Sequence, residues 1–447
     1  MVRRVVLPPV AVALLACALA GPAAAAKNPR RSVVGQADDR PNVLLIVTDD
    51  QRWDTLWAMP NVQHLLVRKG VTFRNGFVVN SLCCPSRATI LTGDYSHTTG
   101  VYRQISPYGA FASFDDSSTL ATWLHEAGYT TALFGKYIDA YEAAALDGYV
   151  PPGWDHWEAF AHSQYYNYGL SIDGEVRTFG EEPADYATKV LGADAESFIR
   201  STTGGPLFVV YAPPAPHDPA PPEPRDESRF QDLGPWRPPS WNETDMSDKP
   251  DYVQQFRDLT EEHQAAIDRL RTDQYRTLLS VDREVASLVS ALHATGRIHD
   301  TLIVYLSDNG LLWGEHRWDR KEVPYEESIR IPIIVRYDRL FTGAASVDAL
   351  ALNLDVAPTI ADAAGLEPIT DGRSLLPLVA GETPPDWRHE FLVEHMKGMN
   401  PVPTYCAVRT EDHLYVRYST HEAELYDLGA YPFELDNRAG DPAMRSV

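Results

Sequence analysis

Basic residues are scarce in this chain. Lysine and arginine total 39 against 62 aspartates and glutamates, a formal net charge of −23 at pH 7. That deficit argues against general nucleic-acid binding and against a polybasic membrane patch. Long apolar runs are scarce as well. Beyond the first 26 residues no stretch approaches the roughly 20 apolar residues that cross a bilayer. The chain contains no internal repeat and no extended low-complexity segment. Cysteine occurs only four times, at Cys17, Cys83, Cys84 and Cys406. What is present is a length of 447 residues with 44% hydrophobic content, enough for a large core and more than one domain.

Residues 1–26 read as a secretory signal peptide. Arg3 and Arg4 supply the positive end, Val5 to Ala20 is largely apolar, and Ala24-Ala25-Ala26 offers a cleavage site. This predicts a secreted protein, extracellular or periplasmic. Leu14-Leu15-Ala16-Cys17 offers the alternative of a lipoprotein cleavage site with anchoring through Cys17. In an oxidising compartment Cys84 and Cys406 are candidates for a disulfide.

From residue 42 to about 380 the pattern alternates strands and helices. Asn42–Thr48 and Thr301–Ser307 are short apolar runs rich in branched residues, suited to parallel strands buried on both faces. Thr119–Ala127 and Ala187–Arg200 read as helices, each followed by a strand, Thr130–Phe134 and Pro206–Tyr211. Leu278, Val281, Val285, Leu288 and Leu292 mark one apolar face of a long helix that stops before Gly296. Such alternation predicts an α/β fold with a mainly parallel sheet flanked by helices. Residues 212–240 are proline-rich and predict a long loop at the mouth of a site. Thr404–Arg409, His413–Tyr418 and Glu424–Asp427 suggest a small antiparallel C-terminal subdomain. The expected division is a leader over 1–26, a catalytic domain over 27–385 and that subdomain over 386–447. Trp154, Trp157, Tyr165, Tyr166 and Tyr168 read as packing residues, with sugar stacking the alternative.

Two of the strands end in pairs of oxygen-bearing side chains, Asp49-Asp50 and Asp308-Asn309. In open α/β sheets, sites form beyond the carboxyl ends of the strands. Three carboxylates and a carboxamide placed there suit a hard divalent cation, Ca²⁺ or Mg²⁺, rather than zinc. Between them in the sequence, Cys83 to Gly93 reads Cys-Cys-Pro-Ser-Arg-Ala-Thr-Ile-Leu-Thr-Gly. This pattern, C-x-P-S-R-x-x-x-L-T-G, resembles the signature of type I sulfatases, in which the first cysteine becomes formylglycine. The resemblance implies an alkaline-phosphatase/sulfatase-like fold, conversion of Cys83 by a formylglycine-generating maturation enzyme, and a metal held by Asp49, Asp50, Asp308, Asn309 and modified Cys83.

Hydrolysis of a sulfate ester needs a nucleophile, positive charge over the sulfate oxygens and an acid for the leaving group. In the family the hydrated aldehyde attacks sulfur, and its second hydroxyl then releases sulfate, which a serine could not do. The cation polarises both sulfate and diol. If Pro85 opens a helix, Cys83 and Arg87 share a face at its N-terminus, where an anion is favoured. The resemblance assigns Arg87 to orienting the diol, Lys136 and Lys321 to the sulfate, and His217 to the sulfate or the leaving oxygen, a task that suits an imidazole. His316 and His395 are further candidates for substrate contact, each weighed against a structural role.

Gly135-Lys136-Tyr137-Ile138-Asp139-Ala140-Tyr141 has Ile138 where many arylsulfatases carry histidine. That segment, Tyr165-Tyr166-Asn167-Tyr168 and Pro214-Ala215-Pro216-His217 are closer to the N-acetylglucosamine-6-sulfatase branch, although Asp139 stands where that branch often has asparagine. The resemblance therefore implies a hydrolase of sulfated sugars, including N-acetylglucosamine 6-sulfate in glycosaminoglycan-type glycans. Two alternatives stay open: a phosphodiesterase or phosphonate ester hydrolase on the same fold, and an unmodified protein that only binds sulfated glycans.

Overall fold

The computed structural model describes residues 40–444. The expected leader, with Cys17, lies outside the described residues. Ten strands form one large sheet: β1 (Asn42–Thr48), β2 (Val71–Phe73), β3 (Thr130–Gly135), β4 (His156–His162), β5 (Gly169–Ile172), β6 (Glu175–Thr178), β7 (Leu207–Ala212), β8 (Thr301–Ser307), β9 (Ile333–Tyr337) and β10 (Ala345–Val347). Their spatial order is β10-β2-β9-β8-β1-β7-β3-β4-β5-β6. The central five, β8-β1-β7-β3-β4, run parallel. Antiparallel strands flank them on both sides, β9 beside β8 and β5 beside β4. The sheet is thus parallel at its centre and mixed at its margins, which suits the unbroken apolar runs of β1 and β8.

Strand alternation divides the core into two layers. Val43, Leu45 and Val47 face one side, with α1 (Cys83–Thr92), α2 (Leu120–Glu126) and α5 (Val356–Ala363). Leu44 and Ile46 face the other, with α3 (Ala187–Ser201) and α4 (Glu261–Ala294). The five apolar residues expected on one face of α4 are all buried. Thr260 caps this helix by accepting a hydrogen bond from His263 N–H at 3.2 Å.

A four-stranded antiparallel sheet follows: β11 (Glu390–His395), β12 (Tyr405–Thr410), β13 (His413–Tyr418) and β14 (Ala423–Asp427). Phe391, Val393, Ala407, Leu414 and Val416 carry it onto the first core layer. The proline-rich segment 212–240 is irregular apart from one turn at Pro224–Asp226. Only its beginning lies at the cleft. The remainder runs along α4, where Arg283 pairs with Glu223 and Asp226. Trp157, Tyr165 and Tyr168 are buried, so packing is their role. Cys84 and Cys406 do not pair in a disulfide. Cys84 is fully buried in α1 and Cys406 is a half-buried thiol on β12.

Candidate active site

Parallel pairing decides where the chemistry-bearing side chains go. β1, β3, β7 and β8 point the same way, so their carboxyl ends deliver Asp49 and Asp50, Lys136, the loop bearing His217, and Asp308 with Asn309 to one edge. Thr48 lies opposite Ser307, and Asp308 N–H donates to the Thr48 carbonyl at 3.0 Å. Gly135 lies opposite Ala212, and Lys136 N–H donates to the Ala212 carbonyl at 2.7 Å. Only glycine permits this approach. Gly135 has φ of 122°, and a Cβ there would sit 2.0 Å from the Ala212 oxygen.

Helix α1 supplies the rest. Leu82 is its extended N-cap, so the helix begins at Cys83, two residues before the start that Pro85 suggests. Cys83 and Arg87 are one turn apart. Buried Arg87 donates from Nε to Asp308 Oδ2 at 2.8 Å and from Nη1 to the Lys136 carbonyl at 2.8 Å. Its Nη2 lies 3.8 Å from Asp49 Oδ2.

The carboxylates are crowded. Lys136 Nζ donates to Asp49 Oδ2 at 2.7 Å, and Lys321 pairs with Asp50. Asn309 Nδ2 donates to Asp50 Oδ1 at 2.6 Å, and Asp50 N–H to Asp308 Oδ1 at 3.1 Å. Two buried acceptors, Asp49 Oδ1 and Asn309 Oδ1, have no hydrogen-bond partner. An orphaned carboxylate oxygen and an orphaned carboxamide oxygen beside two more carboxylates fit a hard divalent cation. Ligand atoms of Asp49, Cys83 and Asp308 lie within 4.8 Å of one another, as do those of Asp49, Asp50 and His217.

Burial and the charge of Asp49 push the Asp308 carboxyl up. Burial acts the same way on Asp49, but Lys136, His217 and Arg87 outweigh it and hold Asp49 well below the usual carboxylate range. Burial opposes the charge on Lys136 and Lys321. Asp139 and Asp49 around Lys136, and Asp50 beside Lys321, outweigh it, so both ammonium groups are retained.

The Cys83 sulfur is ringed by polar groups. Sγ donates to Asp139 Oδ2 at 3.2 Å, accepts from Gln104 Nε2 at 2.9 Å and lies 3.7 Å from Lys321 Nζ. Burial, and then the charge of Asp139, pushes this thiol up to about 12. Gln104 and Lys321 also line an open cleft of about 310 Å³, together with Asp50, Arg103, His217, Arg320 and Asn400. Sequence reasoning does not find Gln104, because it lies in an irregular segment with no motif. The His217 side chain is 39% exposed at the rim, with Nε2 3.7 Å from Asp50 Oδ2.

Two expected contacts fall elsewhere. His316 is fully buried, with Nδ1 2.6 Å from Glu243 Oε2 and its ring 4.2 Å from that of Tyr325. His395 is 2% exposed and stacks on Tyr405 at 5.1 Å. Neither lines the cleft, so substrate contact is corrected to a buried role for both.

Comparison with known proteins adds independent findings. The family model described as Sulfatase matches residues 41–366, and that of the N-sulphoglucosamine sulphohydrolase C-terminal region matches residues 314–447. The chain is 35% identical to the N-acetylglucosamine-6-sulfatase of Homo sapiens over 82% of its length and 69% of that protein. It is 32% identical to a putative extracellular sulfatase Sulf-1 homolog of Caenorhabditis elegans over 80% of its length, spanning about half (53%) of that relative. Among solved structures, one in complex with its substrate D-glucosamine-2-N,6-O-disulfate superposes with a TM-score of 0.81 at 26% identity, covering 91% of this chain and 95% of the other. A phosphonate monoester hydrolase from Silicibacter pomeroyi shares the fold, with a TM-score of 0.75 at 24% identity over 90% and 92% of the two chains.

Proposed function

The chain belongs to the sulfatase family, and from that premise we propose that it hydrolyses sulfate esters of sulfated sugars, with 6-sulfated glucosamine the leading substrate class. The observation that carries this reading is the setting of Cys83. Its sulfur sits at a helix N-terminus, beside Lys321 and next to the strand-end carboxylates. A thiol held up to about 12 is a poor nucleophile near neutrality. In this reading the site would gain its chemistry through conversion of Cys83 to formylglycine, whose hydrate would supply the attacking hydroxyl.

The remaining residues divide the work. Asp49, Asp50, Asp308 and Asn309 would hold a divalent cation, Ca²⁺ in the first place, which when bound neutralises charge on the sulfate and on the nucleophile. Without it, four carboxylates with Asp139 included face three cations, Arg87, Lys136 and Lys321. With it, the immediate charge becomes positive by one, which answers how a chain of net charge −23 receives an anion. Lys136 and Lys321 would supply ammonium donors to the sulfate oxygens. Asp139, 3.2 Å from the Cys83 sulfur, would accept the proton of the attacking hydroxyl formed at that position. His217, at the rim, would protonate the leaving oxygen. Gln104 and Lys321 cover the sulfur. The name of the Caenorhabditis elegans relative, which calls it extracellular, supports a secreted enzyme.

Cys83→Ala tests the reading. Turnover of an aryl sulfate should fall by roughly 10³-fold or more with the melting temperature nearly unchanged. Full activity in the variant refutes the mechanism. Parallel rates on a matched aryl phosphonate separate sulfatase from phosphonate hydrolase activity.

A further inference from the structure

His316 belongs to a second cluster, which shares no residue with the strand-end site. Glu243, the carboxylate facing its Nδ1, is paired at 3.2 Å with the buried Lys249 ammonium. It is therefore an acceptor, and Nδ1–H of the imidazole donates to it. That leaves Nε2 as the ring nitrogen available to a further partner. Nε2 has no hydrogen-bond partner. Neither has Glu327 Oε2 or Glu434 Oε1. The three residues are 0%, 6% and 1% exposed, and one ligand atom from each lies within 4.8 Å of the other two.

Three buried residues thus converge, and each carries an acceptor with no hydrogen-bond partner. Nearby Arg330 and Arg409 are paired with Glu326, and among the described residues no basic side chain forms an ion pair with Glu327 or Glu434. Burial and the charge of Glu315 push the Glu327 carboxyl up, and burial and the charge of Glu327 do the same to Glu434. A cation placed between them reverses this strain, because it gives each orphaned atom a partner and lets both acids ionise.

We propose that His316 Nε2, Glu327 and Glu434 form a buried site for a zinc-class divalent transition ion. One imidazole nitrogen and two carboxylate oxygens are zinc-type donors, unlike the all-oxygen set at the strand ends. The Glu243–His316 pair supplies the outer carboxylate that typically orients a metal-bound histidine. A tetrahedral zinc ion with bonds of about 2.0–2.1 Å separates its ligands by roughly 3.3 Å, so small side-chain movements close the site. His316 and Glu327 flank Lys321 in the segment between β8 and β9, whereas Glu434 lies beyond β14. The ion ties the C-terminal segment to the loop that carries Lys321.

The test uses the full chain, stripped of metal and then dialysed against equal Zn²⁺ and Ca²⁺. Anomalous diffraction at the zinc edge should give a peak bonded to His316, Glu327 and Glu434. Elemental analysis should show that Glu434→Gln loses about one zinc per chain, and Glu243→Gln should weaken zinc binding by about 10- to 100-fold. No peak between the three side chains in the wild-type crystal overturns the proposal, whether or not the variants fold. Zinc content indifferent to Glu434→Gln in a folded variant overturns it as well, and leaves a shared proton as the account of the two acids.

Discussion

His395 shows what burial does to a single titratable group. Burial in the first core layer lowers its pKa from 6.5 to about 4. The folded state therefore holds the imidazole neutral, while the unfolded chain takes up a proton as pH falls below 6.5. Stability is lost between pH 6.5 and 4, by up to about 3 kcal/mol for this one group. Urea titrations of wild type and His395→Phe should differ by close to one proton in their pH slope across that window. Equal slopes would refute the assignment. The same residue marks a limit of sequence reading. A histidine in Glu394-His395-Met396 looks no different whether it meets substrate or Tyr405, since only tertiary packing decides. Gln104 is the converse case, a cleft residue with no local signature. Cys83, Arg87 and the two strand-end pairs were legible because each is set by a local pattern, a helix start or a strand end.

At the scale of elements, two crossings are exposed to test. The β3–β7 pairing brings Gly135 against the Ala212 carbonyl, and Gly135→Ala should force these strands apart just where Lys136 is aimed. We expect a loss of about 3 kcal/mol or more from overpacking and backbone strain, read by chemical denaturation, and a fall in activity with it. A variant as stable and active as wild type would show that the register is softer than described. Thr260 offers the contrast. It caps α4 from the end remote from Gly296, so Thr260→Ala should cost about 1 kcal/mol and leave kcat unchanged. The apolar periodicity of α4 and the branched runs of β1 and β8 fixed these elements in advance, because burial on one stripe or on both faces leaves a strong pattern. β11 was not foreseen. Its Glu390–His395 stretch mixes charged and apolar residues and is a strand only because β12 pairs with it.

For the whole molecule, the long-range field is negative and the site is built to defeat it locally. Parallel strand ends, one helix N-terminus and the cleft loops bring residues from Asp49 to Lys321 to one edge. The global topology that does this was legible as strand–helix alternation, while the antiparallel margins were not, because their short strands carry little periodicity. The central claim remains the identity of the nucleophile at position 83. The most direct measurement is the mass of the peptide carrying residue 83 in protein from a host with a formylglycine-generating enzyme, taken beside hydrolysis of glucosamine 6-sulfate by the same preparation. The account predicts an aldehyde mass, with turnover in proportion to the converted fraction. Turnover by a preparation whose residue 83 is entirely cysteine would contradict it.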